Sequence, residues 1–201
     1  MTTRIWLIRH GEPEERARPL CYGSLEVGLS EAGRRQMERA ARELAAEPVA
    51  AIYAGPGRRA VESARILGAG LGGGHEVRVL AGLGEIDFGE FEGMAYDEIA
   101  ARHPDLYRQW MEAPTSVEFP GGESFAAMRL RVLRAFDGIL AAHAGRTVIV
   151  VSHGGAIRAI LARALGMAGE EIFHLGQDHG AINRIDWVDG FAVVGLLNRC
   201  P

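Results

Sequence analysis

Apolar residues follow two rhythms along this chain. Four short runs are nearly continuous, at residues 4–8, 49–53, 77–80 and 147–151. Runs of that length are expected of strands covered on both faces, as inside a parallel sheet. Between the runs, apolar positions recur at helical spacing. Ser30 stands where an N-cap is needed for a helix over about 30–46, in which Met37, Ala40, Ala41 and Leu44 share a face and beyond which Pro48 follows. A second helix is expected over about 57–70. A longer one, over about 124–143, is striped by Phe125, Met128, Val132, Phe136 and Ile139, and another follows the 147–151 run as far as residue 165. Residues 181–187 and 191–197 flank Asp189-Gly190 and read as a hairpin. Strands alternating with helices in this order predict an α/β fold, a three-layer α/β/α sandwich. Its sheet is mostly parallel, with an antiparallel edge from the final hairpin. Neither a repeat nor a linker divides the chain, so residues 1–201 are expected to form one domain.

Two stretches break the rhythm. In residues 85–122, Phe88, Phe91, Tyr96, Tyr107, Trp110 and Phe119 are mixed with carboxylates, glycines and prolines. This reads as a lid-like insertion over the strand edge, with short helices and with specificity in some of its aromatics. Residues 70–75 are glycine-rich, but they follow a helix and lack the Gly-Lys-Ser/Thr ending. They are expected to form a turn and not a phosphate cradle.

Composition narrows the chemistry. The 201 residues carry a net charge of −4, and all 22 basic residues are arginine. Without lysine there is no Walker-type phosphate loop, no Schiff base and no pyridoxal chemistry. The arginines are scattered and not striped, so neither nucleic acid nor a membrane surface is an expected partner. Cys21 and Cys200 have no metal-binding spacing, and no apolar stretch suits a signal peptide or a bilayer span. A reduced, cytoplasmic protein is the expectation.

The first and fourth apolar runs end alike, in Arg9-His10-Gly11-Glu12 and in Ser152-His153-Gly154-Gly155. Each strand thus delivers an ionisable ring to the carboxyl edge of the sheet, where open α/β sheets bind ligands. These two endings resemble the histidine phosphatase, or phosphoglycerate mutase-like, superfamily. The stretch 52–64, containing Gly55-Pro56-Gly57-Arg58-Arg59-Ala60, resembles the family's arginine segment with Arg59 as the matching residue. The stretch 83–93 resembles its acid-bearing segment, with Glu85 as the acid. Residues 21–30 resemble its substrate loop, although Pro13 and Arg16 stand where the family often has threonine and asparagine.

The resemblance implies a phosphoryl site without metal or cofactor. A phosphoryl group carries its charge on oxygens and needs fixed cations more than covalent help. Arg9 and Arg59 supply planar donor forks. His10 is the candidate nucleophile, His153 a protonated donor, and Glu85 the acid that protonates the leaving oxygen, with Asp87 an open alternative. Candidate substrate contacts are Gly11, Glu12, Arg16, Tyr22, Gly23 and Gly154. Arg58 reads as a surface arginine, and His75, His103, His143, His174 and His179 as structural histidines.

The implied activity is metal-independent hydrolysis of a small phosphomonoester through phospho-His10. A phosphoglycerate mutase and a non-catalytic phosphoryl-binding module are the alternatives. Cys21-Tyr22-Gly23, residues 107–110 and residues 177–187 most resemble α-ribazole phosphatases, which makes α-ribazole 5′-phosphate a candidate substrate. The last hairpin offers a candidate edge for a homodimer.

Overall fold

A computed structural model describes residues 1–72 and 74–201. Among the described residues, six strands form one sheet: β1 (Thr2–Arg9), β2 (Val49–Ala54), β3 (Val77–Val79), β4 (Thr147–Ser152), β5 (Ile182–Val188) and β6 (Phe191–Arg199). They lie side by side in the order β3-β2-β4-β1-β5-β6. The first four of that order are mutually parallel, β5 is antiparallel to β1, and β6 is antiparallel to β5. The mostly parallel sandwich is therefore present, and its antiparallel edge is two strands wide. Asp189 and Gly190 turn the hairpin with positive φ angles of 47° and 90°, as a two-residue turn between twisted strands requires.

The helices are α1 (Glu31–Glu43), α2 (Arg58–Leu71), α3 (Tyr96–Arg102), α4 (Pro104–Glu112), α5 (Phe125–Ala142) and α6 (Gly154–Leu165). Strand side chains alternate between faces, and the core follows that alternation. Trp6, Ile8, Ile149 and Val151 point toward α1 and α2, where Met37, Leu44 and Leu67 meet them. Ile5, Leu7, Val148 and Val150 point the other way, toward Met128, Phe136 and Ile157 of α5 and α6. With both faces covered, the middles of β1 and β4, residues 5–8 and 148–151, are wholly apolar. Each fully buried aliphatic side chain contributes about 1.5–3 kcal/mol.

The Ser30 and Ser124 hydroxyls cap α1 and α5, accepting from the Gly33 and Ala127 N–H groups at 3.0 and 3.2 Å. Helix α1 ends at Glu43, short of residue 46, because the chain closes a tight turn in which the Glu47 N–H donates to the Leu44 carbonyl at 2.9 Å. After α2, Gly72 and Gly74 take positive φ angles; Gly73 of the predicted 70–75 turn lies outside the described residues.

Residues 85–122 hold α3, α4 and single 3-10 turns at Gly89–Phe91 and Pro114–Ser116. Ile86, Phe91, Ile99, Val117 and Phe119 of this segment are buried in the core on the α5 and α6 side. Among the described residues, no helix is long and apolar enough to cross a membrane.

Candidate active site

β1 and β4 pair in a register that sets Arg9 opposite Ser152, so the next residue on each strand is a histidine. The His10 N–H donates to the Ser152 carbonyl at 2.9 Å. The His10 and His153 rings lie edge to face, their centroids 5.2 Å apart. β2 ends beside them and turns into α2, whose second residue is Arg59. All three side chains are buried. Close packing at this edge depends on glycine. A side chain on Gly11 would collide with the Gly33 backbone in α1, and one on Gly55 would begin 2.9 Å from His153 Nε2.

Two hydrogen bonds select the same tautomer of His10. Its Nδ1–H donates to the Gly11 carbonyl at 2.8 Å, and the Arg59 Nε–H donates to its Nε2 at 3.2 Å. Nε2 therefore carries the lone pair, as a nucleophilic ring nitrogen must. Arg59 also donates to the main chain of the 22–25 loop: to the Leu25 carbonyl at 3.1 Å and the Gly23 carbonyl at 2.8 Å, with the Tyr22 ring 5.1 Å from its guanidinium carbon. That loop is fixed in turn by Glu92. Its carboxylate accepts from the N–H groups of Gly23, Ser24 and Leu25 at 2.8–3.0 Å, and from that of Phe88 at 3.1 Å.

Arg9 is held from the opposite side. It donates to the Gln177 carbonyl and, at 3.0 Å, to His179 Nε2. The His179 ring centroid is 5.4 Å from that of His10, and the Tyr22 hydroxyl is 3.4 Å from its Nε2. His179, read as a structural histidine, thus lies beside this cluster, because the turn before β5 folds back over the edge. Gln177 reaches Asn183 through paired amide bonds of 2.9 and 3.0 Å, and Asn183 donates to the Leu7 carbonyl at 3.1 Å, which locks this turn to β1. A sequence signal for His179 existed: His179-Gly180 is a third histidine-glycine pair, like His10-Gly11 and His153-Gly154. Glu92 gave none, since a carboxylate inside an irregular segment looks like any solvated one.

Burial is the main force on the site's titrations. It pushes His10 and His153 well below the ordinary histidine value, reinforced at His10 by His153, Arg59 and Arg9, and at His153 by Arg59, Arg9 and Arg131. His179 is pushed down to about 4, by burial first and then by Arg9. Burial lowers Arg59 too, but a guanidinium keeps its charge. Burial thus opposes the charged form expected of His153. Both its ring nitrogens are buried without a hydrogen-bond partner. The fixed positive charge beside these rings comes from Arg59, which donates to His10, and from Arg9, which donates to His179.

Glu85 stands at the start of α6, where its carboxylate accepts from the Gly155 N–H and from its own neighbour Ile86, both at 3.0 Å. It shares with His153 the wall of a cavity of about 300 Å³ that also touches Asp87. Asp87 is engaged by the Gly89 N–H at 2.9 Å in a local turn. Gly154 opens α6 beside Arg9; a Cβ there would be 3.5 Å from the Arg9 Nε. Glu12 sits at the rim, taken up by Arg18 and Ser30 at 2.9 Å each. Arg16 is not gathered into this group: its exposed side chain pairs with Glu14 at 2.6 Å. Arg58 pairs with Glu62 at 2.8 Å on the surface of α2. Among the described residues, no three His, Cys, Asp or Glu side chains are grouped to hold a metal ion.

The profile described as "Histidine phosphatase superfamily (branch 1)" matches residues 5–199. A bifunctional protein of Mycobacterium tuberculosis is 36% identical over 199 residues, which make up 98% of this chain and 54% of that protein. The chain thus spans about half the length of the first curated relatives it matches. A metal-independent phosphoserine phosphatase of Arabidopsis thaliana is 33% identical over 208 residues, covering 98% of this chain and 87% of that one. Among solved structures, the alpha-ribazole phosphatase from Shigella flexneri is similar with a TM-score of 0.88 at 27% identity, over 98% of this chain and 96% of its own.

Proposed function

Because the chain belongs to the histidine phosphatase superfamily, we propose that it is a metal-independent phosphomonoesterase acting through a phosphohistidine at His10. The observation that carries this is the poise of His10: Nδ1 bound to the Gly11 carbonyl, Nε2 with its lone pair beside Arg59. The Nε2 lone pair attacks phosphorus as the ester P–O bond breaks, and the departing oxygen takes a proton from Glu85. Arg9, Arg59 and His153 surround the three oxygens of the transferred group. A phosphoryl dianion within reach of His153 offsets the cost of charging its buried ring, so the ring becomes a donor when substrate binds. Glu85, now a carboxylate, takes a proton from water. That water's oxygen attacks phosphorus, the P–N bond breaks and its electron pair returns to Nε2.

Glu85 is assigned the acid role because the Gly155 N–H fixes its carboxylate at the start of α6, two residues beyond His153, whereas Asp87 accepts from the Gly89 N–H in a local turn. The cavity beside His153 also carries Glu26, Asp87 and Glu123, with Arg131 already paired to Glu123. That lining offers little to hold the carboxylate of a phosphoglycerate, which weighs against a mutase. The two cysteines are free thiols, in keeping with a reduced, cytoplasmic enzyme.

The likeness to the Shigella enzyme makes α-ribazole 5′-phosphate the first substrate to try, with phosphoserine second. The test is phosphate release in EDTA from a panel of both with 3-phosphoglycerate, comparing the parent with His10→Ala. Release by the parent only, with acid-labile phosphate on His10 after rapid quenching, is the expected outcome. Release that survives His10→Ala, or that needs an added metal, sinks the mechanism.

A further inference from the structure

Glu85 lies on the wall between two cavities of different character. The first, of about 300 Å³, contains His153 and Gly57 and is lined with carboxylates. The second, of about 270 Å³, lies on the other side of Glu85 and Gly155, beneath residues 88–119. Its walls are Phe88, Tyr96, Trp110, Phe119, Phe125 and Phe173, and among its lining residues only Glu85 and Arg158 are charged. The aromatic walls pack against one another. Phe88 and Phe119 pack edge to face with centroids 4.8 Å apart, Trp110 and Phe119 likewise at 5.1 Å, and Phe88 lies 5.4 Å from Trp110. At the mouth, Tyr96 and Phe173 are 38% and 42% exposed, large apolar groups left facing solvent. The Arg158 guanidinium lies over Phe173 at 5.8 Å, with its Nε–H given to the Leu175 carbonyl at 2.9 Å.

In the mechanism above, the leaving oxygen must sit within hydrogen-bond reach of Glu85, in line with His10 and beyond the phosphorus. The phosphoryl group occupies the side of Glu85 that holds His153, so the carbon body of the alcohol continues on the other side. We infer that the aromatic cavity seats this leaving group, and that the enzyme selects monoesters of apolar, ring-bearing alcohols over small polar ones. This rests on the phosphomonoesterase reading for the position of the phosphoryl group. A preformed apolar cavity with few polar groups is the usual form of a small-molecule site. The walls give a ring contact on several sides, where ethanol-sized groups leave them wet. Arg158 adds discrimination, because its charge opposes an ammonium group on the alcohol.

Two phosphonates that cannot be hydrolysed test the cavity apart from turnover. 2-Phenylethylphosphonate is expected to bind the full chain roughly tenfold or more tightly than ethylphosphonate in calorimetry. Phe173→Ala, a change at the half-exposed mouth, is expected to shrink that ratio severalfold, while Phe191→Ala at the remote hairpin tip leaves it unchanged. The same ratio is expected in kcat/KM for 2-phenylethyl and ethyl phosphate, two esters whose alcohols are of similar basicity. Equal binding of the two phosphonates, or a ratio untouched by Phe173→Ala, overturns the assignment and moves the leaving group to the carboxylate-lined cavity. Tenfold discrimination in binding without hydrolysis of either ester keeps the cavity and rejects the phosphatase reading instead.

Discussion

His10 and His153 hold their rings away from water and His179 is half-buried; each is pushed below its ordinary pKa, His179 to about 4. In the unfolded chain these rings titrate near about 6.5. As pH falls through that value the unfolded state takes up protons that the folded state refuses, so stability drops. What His179 contributes is fully present above about pH 6.5 and is lost progressively toward about pH 4. The urea midpoint should therefore fall between about pH 7.5 and about pH 5, and His179→Asn should shrink the fall. An identical fall in the variant would mean that the fold does not hold the His179 pKa below its ordinary value. At this scale the sequence was legible where chemistry sits at a strand end: Arg9, His10 and His153 follow continuous apolar runs, and Arg59 opens a helix. Glu92 was not, because it lies in an irregular segment and acts through contacts with residues distant in the chain; His179 carried only its histidine-glycine pair, with no apolar run before it.

Helix α1 shows how an element depends on what crosses it. Gly33 lies one turn into the helix, and by propensity alone a glycine there costs about 1 kcal/mol relative to alanine. A Cβ at this position would meet the backbone of Glu12, with the Glu12 nitrogen 2.8 Å away. The segment after His10 runs directly over the helix, so Gly33→Ala is expected to lower both thermal stability and phosphate release. Gly138 in α5 is the contrast, since nothing lies within 4 Å of its added Cβ. Gly138→Ala is expected to raise stability by about 0.5–1 kcal/mol. Melting curves of the two variants decide it, and a gain at Gly33 would deny the close crossing. Periodicity revealed α1, α2, α5 and α6 because each buries a stripe against the sheet. In residues 85–122 short helices were expected but not their bounds, because α3 and α4 are short and begin among prolines and glycines.

The molecule as a whole is organised so that β1, β2 and β4 end together, with Arg9, Arg59, His10 and His153 at one point. An anion bound there joins three strands and the turn carrying His179, so its binding energy stabilises the entire fold. Orthovanadate at a hundred times its dissociation constant should add about 2.7 kcal/mol, read as a rise in melting temperature that Arg59→Ala removes. No rise at any concentration would mean that the cluster does not bind phosphoryl-like anions. The strand order was legible only in part, since the apolar runs mark strands but do not say which neighbour each takes. β1 lies between β4 and β5, both from the last third of the chain. During synthesis at roughly 5–20 residues per second, Ile5-Trp6-Leu7-Ile8 leaves the ribosome well before either partner strand. It then waits on the order of ten seconds or more, with both backbone edges open, for the partners that close them. The strand that leads into His10 is thus the most exposed to mispairing while the chain is being made. The His10–His153 cluster is complete only when these later strands have found it.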